Sequence, residues 1–174
     1  MNINLTVKER LLLEDQKKHE EMCIEKYNSY AQRASDPQLK NIFSNHAKIE
    51  QEHLNTINQL LSGQVPSMGQ QGGGMQSNSA SQQAGGGQQT VQQNTQSAGY
   101  QAQSSSASGM SSDQSLCNDM LMTEKYVSGT YDTAIFEFKD TQVRDVLNHI
   151  QKEEQKHGES LFKFMQSKGM YSPK

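Results

Sequence analysis

The chain is short of large apolar side chains: only 32% of its 174 residues are hydrophobic, low for a fully globular protein. Its two cysteines, Cys23 and Cys117, lie far apart with no Cys-x-x-Cys spacing, which argues against a disulfide framework and a zinc-thiolate site. Both read as reduced, buried thiols. There is no polybasic run, and the net charge of −3 with a sequence pI near 5.9 argues against nucleic acid and against anionic membranes as partners. No apolar run approaches the ~20 residues of a membrane span. The N-terminus, Met-Asn-Ile-Asn-Leu-Thr, lacks the basic start and apolar core of a signal peptide, so the chain is expected to be made and kept in the cytosol. Gly-x-Ser-x-Gly and phosphate-loop patterns are missing, and the glycine triplets at 72–74 and 85–87 lie in low-complexity sequence, not between a strand and a helix. Nucleophilic catalysis therefore has no candidate triad.

The apolar deficit is local. Residues 63–112 are built from Gln, Gly, Ser, Ala and Asn with no charged residue, and this stretch cannot bury enough area to offset chain entropy. It is expected to be a disordered linker, capable of self-association through its Gln/Asn bias. A flexible linker of about 50 residues has a root-mean-square span of roughly 35–40 Å, and a 26-residue helix is about 39 Å long. The linker can therefore carry the chain back along a whole helical bundle or make a simple return.

The flanking segments, 1–62 and 113–174, carry helical periodicity. Thr6 followed by Glu9 reads as a capping box opening a helix that runs to about Ala34. Its apolar stripe is Leu12, Leu13, Cys23, Ile24, Tyr27, Ala31 and Ala34, and Glu20 falls inside that stripe. Asp36-Pro37 restarts the chain as cap and first helical residue. The second helix runs to about Leu61 and turns Leu39, Ile42, Phe43, His46, Glu50, His53, Ile57, Leu60 and Leu61 inward. A third helix is expected from Ser112-Asp113, with Leu116, Met120, Glu124, Val127, Tyr131, Ile135 and Phe138 on its seam. Asp140 caps a fourth, whose inward set includes Val143, Ile150, Glu154, His157, Leu161 and Phe164, and Gly169 stops it.

Shifting the chain on itself by 104 residues superposes Leu12 on Leu116, Asp15 on Asp119, Tyr27 on Tyr131 and Asp36 on Asp140. The same shift superposes Glu20 on Glu124, Glu50 on Glu154 and His53 on His157. The fold expected is all-α: an antiparallel four-helix bundle of two repeated hairpins about an approximate two-fold axis. Glu20 and Glu50 lie about equally far from the first turn, so they share a height, and Glu-x-x-His places two ligand types on one helical face. Pairing the hairpins gathers four carboxylates and two imidazoles in one layer, the donor set of di-iron and di-manganese carboxylate bundles. Four buried carboxylates without cations cost several kcal/mol each or protonate. Two divalent ions held by Glu20, Glu50, His53, Glu124, Glu154 and His157 would neutralise them, iron or manganese first and zinc as another option. The competing reading is a polar layer that only sets helix register. His46 reads as a core histidine or an extra ligand, Tyr27 and Tyr131 as packing or as partners of the acids, Cys23 as a packed thiol or a redox group beside a metal. His19 and His149 fall off the stripes.

Met122-Thr-Glu-Lys-Tyr-Val-Ser-Gly-Thr-Tyr-Asp-Thr-Ala134, His149-Ile-Gln-Lys-Glu-Glu-Gln-Lys-His157 and the Lys168-Gly-Met-Tyr-Ser-Pro173 ending resemble the CotF family of spore coat proteins. Cys23-Ile-Glu-Lys-Tyr27 and Ala34-Ser-Asp-Pro-Gln-Leu39 resemble the paired segment of its two-half members. The resemblance implies a ferritin-like bundle, synthesis in the mother-cell cytoplasm, deposition in the endospore coat, and other coat proteins or further copies of the chain as partners. It implies a structural component of a family without an established enzymatic activity, the Gln-rich linker serving as an adhesive or cross-linkable segment. The metal-type layer keeps a second function open, a ferritin-like oxidoreductase acting on peroxide or oxygen. Many family members carry Gln at the position of Glu124, and the Glu here gives the fuller metal set.

Overall fold

Thr6 opens the first helix as its sequence predicts: its hydroxyl accepts from the Glu9 amide at 3.2 Å, and the Glu9 carboxylate accepts from the Thr6 amide at 2.7 Å. Such a cap stabilises a helix by about 1 kcal/mol. The computed structural model describes residues 3–66 and 103–171, and within them the chain forms α1 (Val7–Arg33), α2 (Pro37–Leu61), α3 (Gln103–Ile135) and α4 (Thr141–Ser167). Most of the expected linker, and residues 172–174 of the tail, lie outside the described residues. Asp36 caps α2 by accepting from Gln38 and Leu39, and Asp140 caps α4 by accepting from Gln142 and Val143. Pro37 stands in the first turn of α2, where its missing amide costs nothing. Gly63 follows α2 at φ 84°, where a side chain would be strained and a Cβ would stand 3.2 Å from the Ile3 carbonyl. Gly169 ends α4 in the same left-handed region, at φ 69°.

Both ends of α3 differ from the sequence expectation. α3 begins at Gln103, ahead of the expected Ser112-Asp113 start. A helix already packed from Asp113 onward has met its nucleation cost, so it extends through Ser and Ala residues at little further expense. It ends at Ile135, so Phe138, expected on its seam, is buried from the turn before α4 instead; the boundaries of α1, α2 and α4 fall within a residue or two of expectation.

Contacts between the hairpins set the direction of each helix. On α1 and α3, Ser35 pairs with Asp113, Tyr30 with Asp119, Tyr27 with Glu124 and Gln16 with Thr130, so these helices run antiparallel. α1 packs on α2 and α3 on α4, and the hairpins join through α1 with α3 and α2 with α4. α2 and α3 therefore run in the same direction, and Leu61 ends at the opposite end of the bundle from Asp113. Of the two connections open to the sequence, the positions of these two ends call for the long crossover. The four-helix, strandless, two-hairpin architecture read from the repeat is the one observed among the described residues.

The core forms two apolar halves with a polar waist. Tyr27, Phe43, Met120 and Leu161 are buried toward the α1–α2 turn; Leu13, Ile57, Tyr131 and Leu147 are buried toward the other end. Each hairpin also secures the other's turn. Asp113 accepts from the Ser35 and Asp36 amides at 2.7 and 2.8 Å, and Glu9, which the 104-residue shift places on Asp113, accepts from the Lys139 amide at 2.9 Å. Sequence reading saw these acids only as local caps, since the turn each one reaches belongs to the other half.

Asp113→Ala should leave the two turn amides without their acceptor and lower unfolding free energy by about 1–3 kcal/mol in a urea titration. A shift below about 0.5 kcal/mol would mean that water replaces the carboxylate.

Candidate metal centre

Glu20 on α1, Glu50 and His53 on α2, Glu124 on α3, and Glu154 and His157 on α4 meet in the waist, none more than 3% exposed. All six residues expected from the sequence are brought together. The helical spacing of Glu50 with His53 and of Glu154 with His157 directs each pair inward, and the equal distances from the turns align the four helices at one height. His53 Nδ1 lies 3.1 Å from Glu50, 3.0 Å from Glu154 and 3.6 Å from Glu20. His157 Nδ1 lies 2.9 Å from Glu50, 3.7 Å from Glu154 and 3.8 Å from Glu124. These two environments are related by the internal repeat, and Glu50 and Glu154 belong to both.

His53 Nδ1 is hydrogen-bonded to Glu50 Oε2, but much of the layer's remaining hydrogen-bonding capacity is unmet. Glu20 Oε2, Glu50 Oε1, Glu124 Oε2, both Glu154 oxygens and His157 Nδ1 are buried without an aligned hydrogen bond. Two groups, Glu20 with Glu50, His53 and Glu154, and Glu124 with Glu50, Glu154 and His157, each bring one donor atom per residue within 4.8 Å of the others. Buried lone pairs converging on common points suit cations, and carboxylate with imidazole donors suit divalent iron, manganese or zinc. The residues present fit two such ions.

Around the layer, each hairpin's tyrosine serves the other hairpin's acid. Tyr27 donates to Glu124 and Tyr131 donates to Glu20, which settles the choice between packing and pairing that their positions left open. Cys23 is buried and free, its thiol pushed far up by burial and then by the surrounding carboxylates, so it packs in this core as an un-ionised thiol. His46 belongs to neither donor group. Its ring stacks on His157 at 4.3 Å between centroids, and its Nδ1 has no partner. Of the histidines off the stripes, His19 contacts Gln16 and Thr130, and His149 stands 3.5 Å from Glu153.

Glu153 is the residue that sequence reasoning missed: its carboxylate lies 2.9 Å from His53 Nε2. The signal available was the tandem Glu153-Glu154, set against Ile49-Glu50 in the first half, but an acid beside a helical seam reads as solvated until the neighbouring helix is known.

Without ions, the layer can neutralise itself with protons. Burial pushes Glu20 up to about 8 with help from the Glu154 and Glu50 charges, and burial with the same two charges raises Glu124 well above its usual range. Burial and mutual repulsion also push Glu50 up, but the His157 and His53 imidazoles prevail and hold it low. The same imidazoles overcome burial at Glu154. Burial disfavours both histidine cations, yet Glu154 and Glu50 lift His157 to about 9, and Glu153, Glu154, Glu20 and Glu50 lift His53 well above the usual value. His46 goes the other way, pushed down to about 3 by burial and by the neighbouring His157. Two imidazolium ions then balance the Glu50 and Glu154 carboxylates, while Glu20 and Glu124 stay neutral.

Residues 112–174, the second hairpin with Glu124, Glu154 and His157, match the Coat F domain family. No curated protein and no solved structure matches the chain.

Glu20, Glu124, His53 and His157 all hold their protons more tightly in the folded chain. Their contribution is complete below the unfolded values of 4.5 for the acids and 6.5 for the histidines, and is lost as pH rises through the folded values. Glu50 and Glu154 act oppositely, and only below 4.5. Chelator-treated protein should therefore melt at progressively lower temperature as pH rises from about 4.5, most steeply from about pH 6.5 to about pH 9, because below 6.5 the depressed His46 acts in the opposite sense, and ion-saturated protein should show a smaller dependence because metal displaces those protons. A flat or rising melting temperature for the chelated protein would contradict this proton assignment.

Proposed function

We propose that this protein, whose second hairpin matches the Coat F domain family, is a structural component of the endospore coat of the CotF type, fastened internally by a dinuclear metal–carboxylate layer. The observation that carries the metal reading is the shared use of Glu50 and Glu154 by two buried donor groups, each of which keeps carboxylate oxygens without a hydrogen-bond partner. Glu20 and His53 would complete one ion's donors, and Glu124 and His157 the other's. Bound there, two divalent ions, iron or manganese ahead of zinc, would supply positive charge to the carboxylates and, for iron or manganese, redox capacity toward oxygen or peroxide. The chain's own part is to hold the donors at one height and exclude water. Tyr131 and Tyr27 fix the orientation of Glu20 and Glu124 through their hydroxyls, and the apolar halves on either side keep the layer dry.

Burial favours the structural role over a ferritin-like oxidoreductase, because donors at most 3% exposed offer a substrate little access. The partners in this reading are other coat proteins and further copies of the chain, met after synthesis in the mother-cell cytoplasm. No described helix is long and apolar enough to cross a membrane.

Protein purified without chelator and reconstituted should hold about two divalent ions per chain by elemental analysis. Because Glu50 and Glu154 serve both positions, Glu50→Ala should lose both ions, whereas Glu20→Ala should lose one. Background metal in the reconstituted wild type, with helical content intact, would remove the metal layer from this proposal. Peroxide turnover by the loaded protein above that of free ions would favour the oxidoreductase. For the coat role, a tagged chain in sporulating cells should move from the mother cell onto the spore surface; a signal confined to vegetative cytosol would refute it.

A further inference from the structure

The repeat makes the two halves of the layer alike but not equal. His53 presents Nδ1 to its donor group while its Nε2 meets the Glu153 carboxylate at 2.9 Å. Glu153 in turn lies 3.5 Å from His149. At the corresponding places in the first half stand Ile49 and Asn45, which carry no charge. His157 has no acceptor in the role of Glu153: its Nε2 is buried without a partner. Its ring is covered by the neutral His46, stacked at 24° between planes.

A carboxylate accepting the Nε2–H of a ligating imidazole fixes the tautomer that leaves the Nδ1 lone pair free, holds the ring in place and increases the basicity of the donor nitrogen. His53 has this support and His157 lacks it. We infer that Glu153 is a positioning residue that makes the Glu20, Glu50, His53 and Glu154 group take up a divalent cation first and more tightly than the Glu50, Glu124, Glu154 and His157 group. The inference rests on the metal reading given above. The first ion also neutralises the shared Glu50 and Glu154, which weakens the second step in either order of filling. That shared effect cannot choose which group fills first, whereas Glu153 can, since it touches only one of them.

The test is calorimetric titration of the metal-free full-length chain with manganese(II), using ligand variants unique to each group to identify the steps. The wild type should bind in two resolved steps. Glu124→Ala should keep the tight step, and Glu20→Ala should keep only a weaker one, at least about 10-fold lower in affinity. Glu153→Ile, which installs the residue type found at position 49, should weaken the tight step by about 10–100-fold. Glu153→Gln, which retains an acceptor without the charge, should fall between, a graded response in affinity that a purely structural role would not produce when both variants keep the helical content of the wild type. Equal affinities in Glu20→Ala and Glu124→Ala, or a tight step unaltered by Glu153→Ile, would overturn the inference while leaving the metal reading standing. No manganese uptake by the wild type, nor uptake of zinc(II) in a parallel titration, would overturn both.

Discussion

The rest of the structure depends on one constraint: carboxylates and imidazoles from all four helices have been taken out of water at the same height. Such groups cannot remain buried as uncompensated charges, because desolvation costs several kcal/mol for each ion. Compensation must come from protons, from metal ions or from neighbouring polar groups, and the layer is arranged for all of them. Imidazole nitrogens stand within ion-pair distance of the shared acids, lone pairs converge without aligned hydrogens, and tyrosine hydroxyls hold the outer acids. Apolar packing above and below keeps water away, which makes whichever compensation is present energetically important.

This constraint also explains why the hairpins are bound reciprocally. Tyr27 of one hairpin serves Glu124 of the other, and Tyr131 returns the contact to Glu20. At the ends of the bundle Asp113 and Glu9 do the same for the opposing turns. A hairpin alone would leave these acids and amides unpaired, so each half supplies groups that the other needs in order to bury its own. Register between hairpins follows from matching these polar partners, as apolar side chains alone would tolerate slippage.

Where the repeat is broken, the two halves acquire different surroundings. Glu153 faces His53, Ile49 offers nothing comparable, and His46 stacks on His157 where the second half has Ile150. Shared residues therefore build the layer, and unshared ones make its halves inequivalent. The Coat F match covers residues 112–174, so the family likeness reaches the second hairpin's share of this layer, Glu124, Glu154 and His157.

Helices, caps and the inward set were legible in the sequence because they are local. Thr6 with Glu9, Asp36 and Asp140 announce helix starts through bonds spanning two or three residues, and the three- and four-residue spacing of Glu50, His53, Glu154 and His157 fixes their face within a helix. The repeat added Glu20 and Glu124 and a common height. The direction of α3 against α1 was not legible, since a long connecting segment leaves both directions open. Nor were the partners of Glu9, Asp113, Tyr27, Tyr131 and Glu153, each of which lies on a helix or turn distant in sequence. Helical periodicity states which way a side chain points from its own axis. Which neighbour it meets, and whether an acid such as Glu153 faces solvent or an imidazole, depends on how the hairpins dock, and only the tertiary structure decided that.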